Sequence, residues 1–398
     1  MTNRYRFNRL ELAGSLGDLG TLLPLGVGMI LINGLSPVGL FFSVGLFYLL
    51  AGIYYGVTVP VQPMKVVGAY AIATSLSVQE IQASSLLLAG ILLIIGLTGA
   101  ITIIGRYTPR PVIRGVQLST GVLLMASGVR LMLGTSSFQR LQSAAEPYLS
   151  IQSLGPVPLG LVIGVLGGVA TLLLLDSKKV PAGLAVILVG ILLGLALGGG
   201  GLSGLDLGLH LPALMPFDFP GKADFSFALL ALVLPQVPMS VGNAALAYTD
   251  LSREYFGEAS SRVTNKAVCL SMAAANGLSF LLGGMPMCHG AGGLAAHYRF
   301  GARTAGSNLM IGSILILLPL LLGSDLLAVL TLLPMAVLGV LLIFSGLQLA
   351  LTVQDLNERQ DLFVVLLMLG ITLASNLAAG FLAGLAVALC LRWRRINI

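Results

Sequence analysis

The sequence predicts an all-α integral membrane protein of fourteen segments, arranged as two inverted halves of seven. Three observations lead there: an apolar composition, apolar runs of membrane-spanning length, and a repeat offset that recurs along the chain. Of 398 residues, 57% are hydrophobic and 9% are charged, and mean hydropathy is +0.99. A soluble domain carries about 25% charged residues, so the chain lacks the polar surface that water requires. Runs near twenty residues match the length that crosses about 30 Å of hydrocarbon. The 51 glycines allow close helix approach where lipid supplies no hydrophobic force between helices.

Hydropathy places spans near 10–31, 37–56, 85–105, 111–133, 156–175, 180–198, 226–247, 264–283, 305–323 and 326–350. The tail 361–393 holds two short helices turning near Asn376, and 60–76 and 285–298 are apolar but interrupted by Pro, Gly and polar residues. Counting both interrupted segments gives fourteen. The basic start Met1–Arg9 precedes an apolar stretch too long for a signal peptide and lacking a small-x-small cleavage site, so it reads as a retained first span. With both termini cytoplasmic, all but four of the 21 basic residues fall on the cytoplasmic side. The exceptions are Arg130, Arg140 and Lys222 outside, and Lys65 at membrane depth. Cys269, Cys288 and Cys390 form no disulfide framework and no metal spacing.

The repeat is read from matched residues. Pro63 in Gln62-Pro63-Met64 and Pro286 in Met285-Pro286-Met287 are 223 apart, as are Pro111 and Pro334. Gly17-Asp18 and Gly242-Asn243 are 225 apart, and Gly115 and Gly339 are 224 apart. An odd number of segments per half makes the halves inverted, a transporter architecture. The first repeat covers 1–198, the external connecting loop 199–225, and the second repeat 226–398.

Ionisable groups at membrane depth are expensive and functional by default. The six glutamates fall at span ends or in loops, which leaves Asp18, Gln62, Lys65, Gln117, Gln236, Ser240, Asn243, Asn276 and His289 deep. Proline suits a helix's first turn but not its interior. Each interrupted segment therefore reads as an extended approach and then a half-helix, the first starting near Pro63. Two half-helix starts supply about one positive charge together, and Lys65 supplies another, which suits a dianion. Gln62, Pro63, Met64 and Lys65, with Met287, Cys288, His289 and Gly290 and the stripe residues Gln236 and Ser240, are the candidate substrate-binding set. Asp18, Asn243 and His289 are the candidate coupling residues. Asp18 shares one face of the first span with Gly14 and Thr21, and is either a proton-titrating group or a buried hydrogen-bonding one. Gln236, Ser240 and Asn243 at i, i+4 and i+7 line a site or bind helices together. His289 is a ligand, a proton carrier or a satisfied core residue; no ligand set for a metal stands beside it.

Pro60-Val61-Gln62-Pro63-Met64-Lys65 and the run from Met285 to Arg303, with Thr304 after it, resemble the molybdate transporter family, a branch related to the SulP sulfate permeases. The resemblance spans the chain. It implies a 7+7 inverted-repeat fold shared with nucleobase permeases and bicarbonate carriers. A core domain from 10–105 and 226–323 would move against a gate domain from 111–198 and 326–393, with substrate between the two half-helices. Sulfate permeases usually carry a soluble C-terminal regulatory domain; no such domain is expected here, which favours molybdate over sulfate.

The expected activity is secondary active import of a tetrahedral oxyanion by an elevator-like motion in the cell inner membrane. Bringing two negative charges into a cell at −100 mV costs about 4.6 kcal/mol, which a cotransported cation, here a proton, would offset. Sulfate or tungstate carriage is the alternative. A nucleobase permease would need deep glutamates, and an anion channel would lack saturable accumulation. No nucleophile–base pair or paired carboxylates at depth point to an enzyme. The expected partners are molybdate or a related oxyanion, a coupling proton and the lipid bilayer, with a homodimer as one assembly to test; neither a cofactor nor nucleic acid is expected.

Overall fold

The computed structural model describes residues 4–101, 103, 108–177, 181–198 and 205–394. Arg106, Lys178, Lys179, Arg395 and residues 199–204 of the connecting loop, which entered the reading of charge and topology, lie outside the described residues.

Helices α1 (Arg9–Leu16) and α2 (Leu19–Asn33) meet at Gly17-Asp18 with a bend of 47°. The single first span expected from hydropathy is thus broken at Asp18, the charged residue deepest within it. Asp18 stands at the start of α2, with its carbonyl accepting from Thr21 and Leu22. Helix α3 (Pro37–Tyr55) is opened by Ser36, whose hydroxyl accepts from the Gly39 N–H, and by Pro37 in its first turn. Strand β1 (Gln62–Pro63) leads into the ten-residue α4 (Lys65–Thr74). Helix α5 (Val78–Thr98) starts seven residues before hydropathy places it, because Ser77 and Glu80 form a capping box around a polar first turn.

After α6 (Arg110–Met132), a hairpin of β2 (Ser153–Leu154) and β3 (Val157–Pro158) leads to α7 (Leu159–Leu174) and α8 (Ala182–Leu197). The continuous helical stretch α9 (Lys222–Ser260) starts four residues before expectation and includes two π-helical parts, Ala228–Val233 and Ser240–Ala247. Helix α10 (Asn265–Leu282) precedes strand β4 (Met287–Cys288) and the ten-residue α11 (Ala291–Phe300). Helix α12 (Ala305–Leu322) is followed by a short turn of helix at Leu326–Leu330 and then by α13 (Met335–Ala350), so the run 326–350 is broken before Pro334. Helices α14 (Arg359–Ala374) and α15 (Leu377–Arg394) turn at Ser375-Asn376, as the tail predicts.

Among the described residues six helices are long and apolar enough to cross a membrane, and the bent pair α1–α2 makes a seventh. Helices of the first half pack on helices of the second: α3 on α12, α5 on α10, and α6 on α13. Small residues make this possible. A Cβ on Gly121 would lie 2.5 Å from the Gly346 carbonyl oxygen, and one on Gly346 would lie 2.5 Å from that of Gly121. One turn pair away, Gly128 and Gly339 face each other's carbonyls in the same reciprocal way. Only a residue without a side chain fits at these crossings, which is how helices hold together in lipid. Outward-facing leucines such as Leu166, Leu173 and Leu192 are exposed, as expected where the surrounding medium is hydrocarbon.

Candidate functional site

The two interrupted segments meet. Strands β1 and β4 pair antiparallel, Gln62 opposite Cys288 and Pro63 opposite Met287, and the Met64 N–H donates to the Pro286 carbonyl at 2.8 Å. Buried asparagines hold each approach. Asn308 accepts from the Val59 N–H at 2.8 Å and donates to the Val59 carbonyl at 2.8 Å. Asn276 does the same for Met287, at 3.1 and 2.8 Å. Gln82 of α5 donates to the Gly284 carbonyl at 2.8 Å. Amide side chains thus meet several of the buried peptide groups that the irregular backbone leaves open.

Helix α4 starts at Lys65, two residues after the proline from which its start was expected, so Pro63 belongs to the strand. Two cavities flank Lys65. The first, of about 400 Å³, is lined by Asp18, Thr21, Gln62, Lys65, Gly292, Ser345 and Gln348 and reaches Pro181 and Arg299. The second, of about 370 Å³, shares Thr21, Lys65, Gly292, Ser345 and Gln348, and adds Gln117, Asn243 and Thr352. Lys65 thus stands on the wall common to both.

Asp18 is buried, and Gln62 Nε2 donates to its Oδ1 at 2.6 Å. Its Oδ2 has no hydrogen-bond partner among the described residues. Gly293 in the first turn of α11 packs against this pair: a Cβ there would lie 2.6 Å from Asp18 Oδ2 and 2.8 Å from Gln62 Nε2. A Cβ on Gly290 would collide with Gln62 Oε1. Glycine therefore lets the backbone of the second break close onto the side chains of the first.

The remaining expected residues fall elsewhere. Gln236 accepts from the Val66 N–H at 3.0 Å and donates to Ser240 at 3.0 Å, so it caps α4 rather than facing either cavity. One of the helix-start N–H groups counted toward an anion is therefore already bonded. The π-helical part Ser240–Ala247 alters the α-helical spacing assumed for Gln236, Ser240 and Asn243, and of the three only Asn243 lines a cavity. Pro63, Met64, Met287 and Cys288 form the buried strand pair and line neither cavity. His289 lies behind them, ringed by Phe47, Tyr55 and Tyr248. Its Nδ1 pairs with the Pro60 carbonyl at 2.9 Å and its Nε2 with Ser271 Oγ at 3.0 Å. A carbonyl only accepts, so Nδ1 carries the hydrogen and Nε2 accepts from the serine.

Sequence reasoning did not single out Ser345 and Gln348, which sit in a helix whose apolar run hides them, nor Arg299 at the cavity's outer end. Thr21 was noted only as a neighbour of Asp18. Among the described residues no cluster of His, Cys, Asp and Glu could hold a metal ion.

Apolar helices around paired strand breaks and two polar cavities define a multi-pass membrane protein with an internal polar site, the build of a membrane transporter. Its fold is shared with SLC26A9 (TM-score 0.67, 14% identity, 97% of this chain and 65% of that chain, so that it spans less than two thirds of that protein). The transmembrane domain of a cyanobacterium bicarbonate transporter, BicA, matches at TM-score 0.64 and 18% identity over 96% of this chain and 97% of that chain. Residues 10–124 and 228–349 match the family described as "Molybdate transporter of MFS superfamily". Molybdate transporter 1 of Arabidopsis thaliana is 30% identical over 413 residues, covering 96% of this chain and 87% of that protein. The chain belongs to this molybdate transporter family.

Proposed function

We propose that the protein imports a tetrahedral oxyanion, molybdate, together with a proton, and that the anion sits beside Lys65 between the starts of α4 and α11. The observation that carries this reading is the position of Lys65 on the wall common to both cavities, next to a buried Asp18–Gln62 pair. An ammonium group and helix-start N–H groups, all donors and one of them charged, suit an oxyanion better than a neutral base. The names of the relatives favour molybdate among oxyanions.

Asp18 supports the proton. Asp18 lines the first cavity and its Oδ2 has no partner among the described residues; an ionised carboxylate here would repel a bound anion, whereas a protonated one would not. Loading the anion and loading the proton then favour each other.

The fourteen-segment, inverted-repeat reading draws support from the 223-residue offset and from the reciprocal Gly121–Gly346 and Gly128–Gly339 crossings, which a two-fold relation between halves would produce. In this reading the core domain (10–105 and 226–323) carries the strand pair and the gate domain (111–198 and 326–393) supplies Ser345 and Gln348. An elevator-like shift of core past gate exchanges access. The first cavity reaches Arg299 and Pro181 on the side where basic residues gather, so the described arrangement faces the cytoplasm, with both termini there and the chain in the cell inner membrane.

The test is a binding titration of the purified protein with molybdate, tungstate, sulfate and uracil, followed by uptake into proteoliposomes with and without an inward proton gradient. Saturable molybdate binding with gradient-stimulated uptake is expected. Tighter sulfate binding would move the substrate assignment, and uptake indifferent to a pH jump would remove the proton.

A further inference from the structure

A third cavity lies apart from the Lys65 site, where the N-terminal segment crosses the ends of α3 and α9 and the start of α12. Its volume is about 440 Å³, and its lining includes four arginines: Arg4, Arg6, Arg262 and Arg303. No aspartate or glutamate lines it. Among the described residues the only ion pairs join Arg110 and Arg114 to Asp355, so no guanidinium of these four pairs with a carboxylate; the one carboxylate bonded to a lining segment, Glu11, accepts from the Arg303 and Thr304 backbone N–H groups.

Three of them have other partners. Arg4 donates to the Ile53 and Tyr54 carbonyls at 2.6 and 3.1 Å, and Arg262 donates to the Tyr54 carbonyl at 3.1 Å, so both complement the negative end of α3. Gly56, with φ +75°, leaves the space that the Arg4 guanidinium fills. Arg303 donates to the Tyr298 and Ala302 carbonyls and lies 3.4 Å over the Tyr298 ring. Capping accounts for where these groups sit, but carbonyls remove no net charge. Arg6 is exposed, and its guanidinium has no hydrogen-bond or ion-pair partner among the described residues. Four positive charges around one opening, with planar donors still available, make a receptor for a multiply charged oxyanion.

We propose that this cavity binds a phosphomonoester. Its volume lies in the range of pockets for organic ligands, about 300–1,000 Å³, as do those of the cavities at Lys65, so the choice of an ester rests on the four arginines and the apolar rim. Its rim supplies a place for the organic part: Tyr255 and Phe256 line it, and the exposed Ile53 and Tyr54 of α3 lie beside the Arg4 contact. Two sources offer this chemistry, a soluble phosphate ester and the headgroup of an anionic lipid. Basic pockets between helices at a membrane surface are suited to the second.

The experiment uses the full-length protein and two probes with one headgroup. Glycerol 3-phosphate is titrated against protein in detergent, and phosphatidic acid is compared with phosphatidylglycerol at equal mole fraction in nanodiscs, with thermal stabilisation and direct binding as readouts. The variant Arg6→Gln/Arg262→Gln is the test and Arg140→Gln the control. Saturable binding to wild type in either arm, weakened at least tenfold in the double variant and unchanged in the control, supports the proposal, and the arm that responds names the source. Molybdate binding measured in the same preparations should stay at the wild-type level, which separates this site from Lys65 and shows that the variant is folded. Absence of binding in both arms, or equal binding by wild type and double variant, overturns it.

Discussion

The two strand breaks pair with each other but are built from different materials. The first carries polar and charged side chains: Gln62 in β1 and Lys65 at the start of α4, with Asp18 brought alongside from the bend between α1 and α2. The second carries glycine, with Gly290, Gly292 and Gly293 around the start of α11, and its one ionisable neighbour, His289, is turned away into a ring of aromatics. On the proposed repeat, matched positions would divide the work, one break presenting charge and the other presenting backbone that approaches closely. A doubled architecture need not give two equivalent half-sites.

The largest effect should come from filling the close approach. Gly293→Ala places a Cβ 2.6 Å from Asp18 Oδ2 and 2.7 Å from Pro60 Cβ, and overpacking of this kind costs about 1–3 kcal/mol. Transport in proteoliposomes should fall to background; near-normal uptake would dissolve the contrast between the breaks. Next, Lys65→Ala should weaken molybdate binding roughly 10–150-fold, the loss of one hydrogen bond to a charged group, with little change in melting temperature. Unchanged affinity would remove the charge argument. Asp18→Asn keeps an acceptor for Gln62 but cannot titrate, so uptake should lose its pH dependence while binding falls less than in Lys65→Ala. His289→Gln should lower the melting temperature through lost contacts to Pro60 and Ser271, and leave molybdate affinity near wild type. A large affinity loss there would return His289 to the site.

The smallest effect lies outside both breaks. Glu146, in the loop before β2, accepts from the Met335 and Ala336 N–H groups at 2.8 Å each and so caps α13. Burial pushes its carboxyl up to about 7, against the lowering effect of those two bonds. A folded-state value above the ordinary 4.5 means that the fold favours the protonated form. That stabilisation is complete in acid and is lost as pH rises through about 7. Thermal unfolding between pH 5 and 8 should therefore show a decline of a few degrees that Glu146→Gln flattens.

Much of this was legible in the sequence because membrane depth makes polar residues conspicuous. Gln62, Lys65 and Asp18 stand out from apolar runs, and Pro63 and Pro286 mark the breaks. Other features leave weaker traces. Hydropathy averages over the polar turn Ser77–Gln82 and so misplaces the start of α5. A π-helix is a backbone choice with no residue signature, so the i, i+4 pair Gln236–Ser240 is legible in the sequence while the change of pitch that sets Asn243 apart from it is not. Ser345 and Gln348 become site-lining only when α13 is set opposite α4, which local pattern does not disclose. His289 is open by residue type to the roles of ligand, proton carrier and satisfied core residue, and the partners on both its ring nitrogens favour the last.

The pairing of β1 with β4 also bears on how the protein is made. Gln62 and its partner Cys288 are separated by more than 220 residues of chain. At about 5–20 residues per second, the ribosome takes roughly ten to forty-five seconds to supply the second strand after the first. During that interval the peptide groups of β1 and of its approach, which Asn308 also serves, lack their final partners in a medium where an unmet N–H or C=O is costly. The seam of the first half therefore stays open until the second half has supplied β4 and Asn308, so the two halves of the chain cannot complete the site independently.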